Sequence, residues 1–106
     1  MARHIVINNL GALYQNRGDF TIASDNYNKA IEIAPDYNPA FYNRGVTKQA
    51  EGDIDGAMAD YTKAIQLRPD DSYPYVARGS LRQYKGDQTG AAADFEVGNK
   101  LRSKGK

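Results

Sequence analysis

Side chains that could perform chemistry are few in this sequence, and they recur at regular intervals instead of clustering. The chain has a single histidine, His4, and no cysteine, which excludes disulfides, thiolate catalysis and cysteine-ligated metals. No serine nucleophile lies at a motif spacing from His4, and calcium-loop, phosphate-loop and zinc patterns are absent from the sequence. The adjacent carboxylates Asp70 and Asp71 are typical of a turn. We therefore predict no catalytic residue, no cofactor and no metal site.

Composition excludes further classes of function. Among 106 residues, 14 basic side chains balance 13 acidic ones to a net charge of +1, so no strong field would attract nucleic acid or an anionic membrane. The C-terminal cations Lys100, Arg102, Lys104 and Lys106 are ordinary at the end of a helix. The sequence has no apolar run of membrane-spanning length and a poor signal peptide. We predict no nucleic-acid partner and no membrane insertion; the compartment stays open, with the cytoplasm favoured.

The same pattern of residues occurs three times in the chain. Glycines recur in steps of 34 at Gly11, Gly45 and Gly79, and again at Gly18, Gly52 and Gly86, each of the latter followed by aspartate. An alanine at Ala23, Ala57 and Ala91 and an aromatic ring at Tyr27, Tyr61 and Phe95 keep the same step. A period of 34 residues is that of helix–turn–helix arrays.

Each unit is predicted to contain two helices joined at the second glycine. In the middle unit, Asn38 should cap the first helix and Pro39 suits its first turn, as Ser72 and Pro74 do in the third unit. A left-handed glycine at Gly52 should end this helix, and the aspartate after it should cap the second. Gly45 is unfavourable within a helix, which indicates that the second helix passes too close for a side chain.

Residues that occupy the same position in successive repeats form a column. The columns of small and aromatic residues, with the prolines Pro35 and Pro69, resemble the tetratricopeptide repeat family. The resemblance implies an all-α fold: a right-handed superhelical solenoid of three antiparallel helix–turn–helix repeats. The repeats would span about residues 4–37, 38–71 and 72–105 of a single domain, 1–106. It also implies a concave groove, lined by the first helix of each repeat, that binds a peptide or a partner protein.

The groove predicted from this resemblance is uncharged and rich in amides and tyrosines. Amides can both donate to and accept from the backbone of an extended peptide, and tyrosine offers contact area at low entropic cost. The alternative is a merely solvated scaffold surface. The residues predicted to bind are Asn8, Asn9, Gln15, Asn16, Tyr42, Asn43, Gln49, Tyr73, Val76, Gln83 and Tyr84, beside the small or apolar positions Ile5, Ala12, Pro39, Val46, Ala50, Ala77 and Ser80.

One family subtype is predicted not to apply. Chaperone-binding members of the family clamp a C-terminal carboxylate with lysine and asparagine in the first helix of the first repeat, asparagine in that of the second, and lysine and arginine in that of the third. The matching positions here hold Asn8, Ala12, Asn43, Tyr73 and Ala77, of which only Asn43 fits the clamp. Without cations the charge-assisted bonds to a carboxylate are lost, so we expect no strong binding to such acidic tails.

Arginine and aspartate vary together between the repeats. Arg44 and Arg78 stand where the first repeat has Leu10, while Asp60 and Asp94 stand where it has Asn26. This covariation favours an ion pair between the two helices of a repeat over contacts from the arginines to a ligand, and the guanidinium fork suits such a pair.

The third repeat departs from the pattern towards polar residues. It has Gly98, Asn99 and Ser103 where the others have alanine, isoleucine and proline, as terminal repeats often do. We expect Phe95 and Leu101 to be only partly covered. Either this end is simply solvated, or it is a surface for weak homo-oligomerisation, which makes a self-associating structural module the alternative function.

Overall fold

The computed structural model describes residues 2–104, which form six α-helices and contain no strand. The helices are α1 (Arg3–Asn16), α2 (Phe20–Ile33), α3 (Asn38–Ala50), α4 (Ile54–Leu67), α5 (Ser72–Tyr84) and α6 (Gln88–Lys104). They pair in sequence as α1 with α2, α3 with α4 and α5 with α6. The predicted all-α solenoid of three helix–turn–helix repeats is confirmed. Residue 1 and residues 105–106, at the ends of the predicted domain and third repeat, lie outside the described residues.

The turn inside each repeat forms as its sequence predicts. Gly18, Gly52 and Gly86 have φ angles of 84°, 86° and 91°, a region that costs other residues strain. The Asp53 carboxylate accepts the amide of Gly56 at 3.0 Å, and Asp87 repeats this with Gly90 at 2.9 Å. The Asp19 side chain, which also lies within the described residues, accepts no hydrogen bond from a backbone amide of α2. The predicted cap is therefore wrong in the first repeat.

Helices α3 and α5 each begin one residue earlier than the sequence predicts, and the Tyr37 side chain before α3 makes no cap hydrogen bond. Asn38 is already the first residue of α3, and its buried amide instead donates to the Ala64 carbonyl at 3.3 Å. Asp71, not Ser72, caps α5, because its carboxylate accepts the Tyr73 amide at 3.1 Å. A carboxylate is the stronger acceptor at a helix N-terminus, which leaves Ser72 free to start the helix.

The core lies between the two helices of each repeat and continues between repeats. A Cβ atom on Gly45 would lie 2.7 Å from the Tyr61 ring and 3.3 Å from the Ala57 carbonyl oxygen, which confirms the predicted close approach. Ala57 and Tyr61 also pack with Leu81 of the following repeat. Each glycine therefore costs helix propensity but admits the aromatic ring that fills the repeat.

Within residues 2–104, none of the six helices has both the length and the apolar character needed to span a membrane.

Candidate functional site

The first helices of the repeats, α1, α3 and α5, lie side by side and form one wall of the molecule. Between α1 and α3, the Asn43 side-chain amide donates to Asn8 Oδ1 at 3.1 Å, and the Thr47 hydroxyl donates to Gln15 Oε1 at 2.7 Å. Between α3 and α5, the rings of Tyr42 and Tyr73 lie 6.3 Å apart. Polar contacts thus join one half of the wall and aromatic contacts the other.

The most exposed aromatic side chains of the described chain form a stripe on α5. Tyr73 is 69% exposed and Tyr84 is 78% exposed. The two tyrosines are eleven residues apart, which is just over three turns of α-helix, so both rings stand on one face. The half-buried Ala77 and the exposed Ser80 lie between them on that face. Two rings flanking two small side chains leave a shallow trough between them. We call the surface of Tyr73, Ala77, Ser80 and Tyr84 the tyrosine stripe.

Tyr42 links this stripe to α3. Its half-buried ring lies 5.7 Å from that of Tyr61 and also packs on Tyr73. Burial raises the pKa of Tyr42, and the nearby carboxylate of Asp71 raises that pKa further. The hydroxyl is therefore protonated at neutral pH and available as a hydrogen-bond donor.

Val76 does not belong to the stripe. Its Cγ2 atom lies only 2.7 Å from the position that a Cβ atom on Gly98 would take. The side chain consequently packs on α6, and the glycine in the third repeat is what makes room for it.

Several of the predicted amides already accept hydrogen bonds from other side chains of the protein. The buried Asn8 accepts from Asn43. Gln15 Oε1 accepts the Tyr27 hydroxyl at 2.6 Å, and Gln49 Oε1 accepts the Tyr61 hydroxyl at 2.8 Å. These amides fix the spacing of the helices, and their oxygens are already used.

The remaining predicted amides lie open to solvent. Asn9 and Asn16 are exposed on α1. Gln83 is exposed on α5, where its repeat has Phe95 in place of the tyrosine that would donate to it. The structure therefore divides the predicted amides into Asn9, Asn16 and Gln83, which are open to solvent, and Asn8, Gln15 and Gln49, whose oxygens accept hydrogen bonds within the protein.

The covarying arginines and aspartates form the predicted ion pairs. Arg44 donates to both carboxylate oxygens of Asp60 at 2.9 and 2.7 Å, and Arg78 does the same to Asp94 at 3.0 and 2.9 Å. Bonding to Asp60 raises the pKa of Arg44 above its ordinary value. Both aspartates are buried and both arginines are half-buried, so the interpretation as structural ion pairs is confirmed.

Sequence reasoning missed a second contact made by these arginines. Arg44 also donates to Asn28 of the preceding repeat at 2.9 Å, and Arg78 donates to Thr62 at 3.2 Å. The hydrogen bond of Thr47 was missed as well. The equivalent residues of the other two repeats are leucines, Leu13 and Leu81, and a hydroxyl at such an apolar position indicates a hydrogen bond across the interface. Each ion pair thus joins neighbouring repeats as well as the helices of one repeat.

Among residues 2–104, no group of three or more histidine, aspartate or glutamate side chains is placed to hold a metal ion.

Comparison with known proteins identifies the family of the fold. The sequence profile described as "Tetratricopeptide repeat" matches residues 5–37 and 39–71, more than half of the chain. The chain belongs to the tetratricopeptide repeat family. No curated protein matched the sequence significantly.

Solved structures of other tetratricopeptide repeat proteins superpose closely on this one. MamA is 24% identical, with a TM-score of 0.90 over 95% of this chain and 59% of that one. The Sgt2 domain from Aspergillus fumigatus is 24% identical, with a TM-score of 0.90 over 97% and 68%. The first such domain of Spaghetti (RPAP3), solved with the HSP90 peptide SRMEEVD, is 23% identical, with a TM-score of 0.89 over 93% and 79%. At these identities the likeness establishes the fold, and this chain spans only part of each of the three.

Proposed function

We propose that this protein is an interaction scaffold whose wall of first helices binds an extended peptide segment that is not strongly acidic. The observation that carries the proposal is the tyrosine stripe: two large aromatic rings stand in solvent on one face of α5. Tyrosine is enriched at binding hot spots because it offers a flat apolar ring and a polar tip. The family and its peptide-bound member support the same class of function.

The dimensions of the stripe suit a short extended segment. Eleven residues of α-helix rise about 16 Å, which is the span of about five residues of extended chain. An apolar ligand side chain would enter the trough over Ala77 and Ser80, between Tyr73 and Tyr84. Gln83, which is exposed on the same helix, offers an amide group to the ligand backbone.

An acidic C-terminal tail is not the ligand we propose, although the Spaghetti domain was solved with the acidic peptide SRMEEVD. The clamp positions of this chain hold no cation, and Asn43, the one matching residue, already donates to the buried Asn8. The carboxylate of Asp71 acts on Tyr42 and accepts the backbone amide of Tyr73, and it would repel a second carboxylate. A neutral or basic segment is favoured by the same charge.

A peptide array tests the proposal directly. Random 10-residue peptides would be screened against the protein, and the best binders measured in solution by fluorescence anisotropy. The Tyr73→Ala/Tyr84→Ala variant should lose about 30-fold or more in affinity, because truncating hot-spot tyrosines commonly costs above 1 kcal/mol each. Both rings are exposed, so the fold should be retained, which circular dichroism would check.

A matched control removes two exposed side chains from a second helix. The Lys63→Ala/Gln66→Ala variant on α4 should bind the selected peptides as the wild type does. Equal binding by the tyrosine variant would overturn the proposal. A tight, salt-sensitive complex with the peptide SRMEEVD would overturn its statement about acidic ligands.

Self-association through the C-terminal repeat is the alternative function, and the structure offers it less support. Phe95 and Leu101 are partly covered, as expected, and Val97 on α6 is 39% exposed. Around them stand polar side chains such as Asn99 and Lys100. Light scattering over a range of protein concentrations tests this alternative, since a strict monomer would exclude it.

A further inference from the structure

A carboxylate without a counter-charge lies beside the two tyrosines that join α3 to α5. Asp71 accepts the backbone amide of Tyr73 through Oδ1 at 3.1 Å. It also acts on Tyr42, whose pKa is raised first by burial and then by this carboxylate. The neighbouring Asp70 pairs with Arg68 at 3.3 Å. Within residues 2–104, however, no lysine, arginine or histidine forms an ion pair with the half-buried Asp71.

The ring of Tyr73 gives this charge an open aromatic neighbour. Tyr73 is 69% exposed, and its ring is inclined by 55° to that of Tyr42 at 6.3 Å between the ring centres. The two rings therefore meet at an angle, which leaves most of the Tyr73 ring in solvent. The face of an aromatic ring attracts a cation that lies within about 6 Å of its centre. We call Tyr42, Asp71 and Tyr73 the acidic corner, since ring and carboxylate both favour positive charge there.

The start of α5 opposes this preference only in part. The first turn of an α-helix carries about half a positive elementary charge, and Asp71 stands directly at that turn as the cap of α5. A full negative charge outweighs this half charge, so the local balance stays negative. The first cation along α5 is Arg78, and it is bound to Asp94. The helix therefore supplies no side-chain cation to neutralise the acidic corner.

The protein itself contains the same combination of ring and carboxylate around an arginine. The guanidinium carbon of Arg44 lies 5.5 Å from the centre of the Phe41 ring, while its nitrogens donate to both carboxylate oxygens of Asp60. A planar guanidinium can stack on a ring and still donate from its edge to a carboxylate, whereas the ammonium of lysine is a compact, strongly hydrated point charge. The acidic corner has the ring and the carboxylate but no arginine of its own. This favours an arginine of the ligand over a lysine.

The two ends of the tyrosine stripe differ in charge. At the end of Tyr84 stand two cations, Arg82, which pairs with Asp94, and Lys85, which pairs with Asp55. The acidic corner lies at the other end, because Tyr73 belongs to both surfaces. The middle of the trough is about 8 Å along α5 from Tyr73, the span of two or three residues of extended chain. A ligand cation at the corner and an apolar side chain in the trough should therefore be two or three residues apart.

We propose that the tyrosine stripe selects its peptide through one arginine, whose guanidinium lies on the Tyr73 ring and pairs with the Asp71 carboxylate. This specificity rests on the proposed function, because it belongs to the same wall of first helices. Asp71 is the residue that determines it, and Tyr73 supplies the contact area. An apolar residue two or three positions from the arginine fills the trough over Ala77 and Ser80.

The test uses the 10-residue peptides that bind best in the array. Each is synthesised again with its arginines replaced one at a time by citrulline, which keeps the shape of the side chain but removes its charge, and by lysine. In the wild type, citrulline at one position should weaken binding about tenfold, as expected from an exposed cation–π contact together with an exposed ion pair. Lysine at that position should bind less tightly than arginine.

Two protein variants show which carboxylate is responsible. In Asp71→Asn the side chain can still accept the Tyr73 amide, so α5 should begin at the same residue. In this variant the replacement of arginine by citrulline should change the affinity less than about twofold, because the counter-charge is gone. The matched control is Asp70→Asn, one residue away, which should keep the tenfold difference.

The outcomes separate this specificity from the function on which it rests. If no peptide binds, or if binding survives Tyr73→Ala/Tyr84→Ala, the proposed function fails and the arginine specificity fails with it. If binding requires both tyrosines but the best peptides lack arginine, the arginine specificity alone is overturned. The same holds if citrulline costs as much in Asp71→Asn as in the wild type, or if lysine binds as tightly as arginine.

Discussion

The two ends of the solenoid differ in the surface they offer to solvent. At the C-terminal end, α6 has Gln88, Glu96 and Asn99 in columns where the earlier repeats have side chains that meet the next repeat. At the N-terminal end, α1 has Val6, Leu10 and Leu13 on the surface that later repeats bury. The outer side of α6 is thus polar, as terminal repeats often are, whereas that of α1 is apolar.

A comparison of the first and second repeats makes the difference sharper. The second repeat places the charged pair Arg44 and Asp60 at an interface that is covered, whereas the first places Leu10 and Asn26 at a surface that is open. Charged side chains thus lie where two described repeats meet, and apolar side chains lie on the open surface of α1. Exposed apolar surface of this kind is a mark of interaction sites, which is why the two ends should respond differently to substitution.

The largest effect should come from giving the second repeat the residues of the first. Asp60→Asn keeps the shape of the side chain but leaves Arg44 and Lys48 without a buried counter-charge. Breaking one partner of such a pair costs about 3–5 kcal/mol, and we expect the lower part of that range because Arg44 is partly solvated. Unfolding in urea at neutral pH measures the free energy.

A double-mutant cycle then isolates the pair. Arg44→Leu with Asp60→Asn should cost less than the sum of the single changes by about 1 kcal/mol or more, since residues in one network couple. The control is Asp70→Asn, which removes the exposed pair with Arg68 and should leave the urea midpoint unchanged. Additive single changes would contradict the role of Asp60 as the shared counter-charge.

The second effect compares one column at its open and covered positions. Leu81 is 3% exposed and packs on Ala57 and Tyr61, whereas Leu13 stands in solvent. Leu81→Ala should destabilise the protein by about 2–5 kcal/mol, the range for a buried leucine. Leu13→Ala should cost about 0.5 kcal/mol or less, as surface changes do. Equal losses in thermal unfolding would show that Leu13 is covered in solution.

Much of the fold follows from the sequence because each element is specified three times. A left-handed glycine, an aspartate cap and an aromatic ring opposite a glycine are local rules, and repetition separates them from chance. The Arg44–Asp60 pair could likewise be predicted, because two columns changed together within one chain.

The candidate site was less predictable, because the exposure of a side chain depends on what its neighbours bury. The sequence pattern places Asn8, Gln15 and Tyr73 alike on the face of the first helices. Only the packing of α1 against α3 determines that Asn8 is used internally while Tyr73 stands in solvent. The exposure of Leu13 was missed for the same reason, because a leucine in the column of the buried Leu81 looks like core.

The smallest predicted effect separates the repeats that carry a tyrosine from the one that carries phenylalanine. Burial raises the pKa of Tyr27 to about 12, and burial also raises the pKa of Tyr61, against an ordinary value of 10. The folded state favours the protonated ring, so this stabilisation is complete below pH 10 and is lost as the pH rises through 12. We therefore expect the urea midpoint to fall over this window.

The Tyr27→Phe/Tyr61→Phe variant, which gives both repeats the ring of Phe95, checks the assignment. At pH 8 it should be less stable by about 1 kcal/mol for each hydroxyl bond lost to Gln15 and Gln49. Between pH 10 and 12 its midpoint should fall less than that of the wild type, because the two buried phenols no longer ionise. Lysines and arginines are the same in both proteins, so their titration cancels in the difference. Parallel curves would mean that the ionisation of other groups governs the alkaline loss, and that the tyrosine and phenylalanine repeats are equivalent in their response to pH.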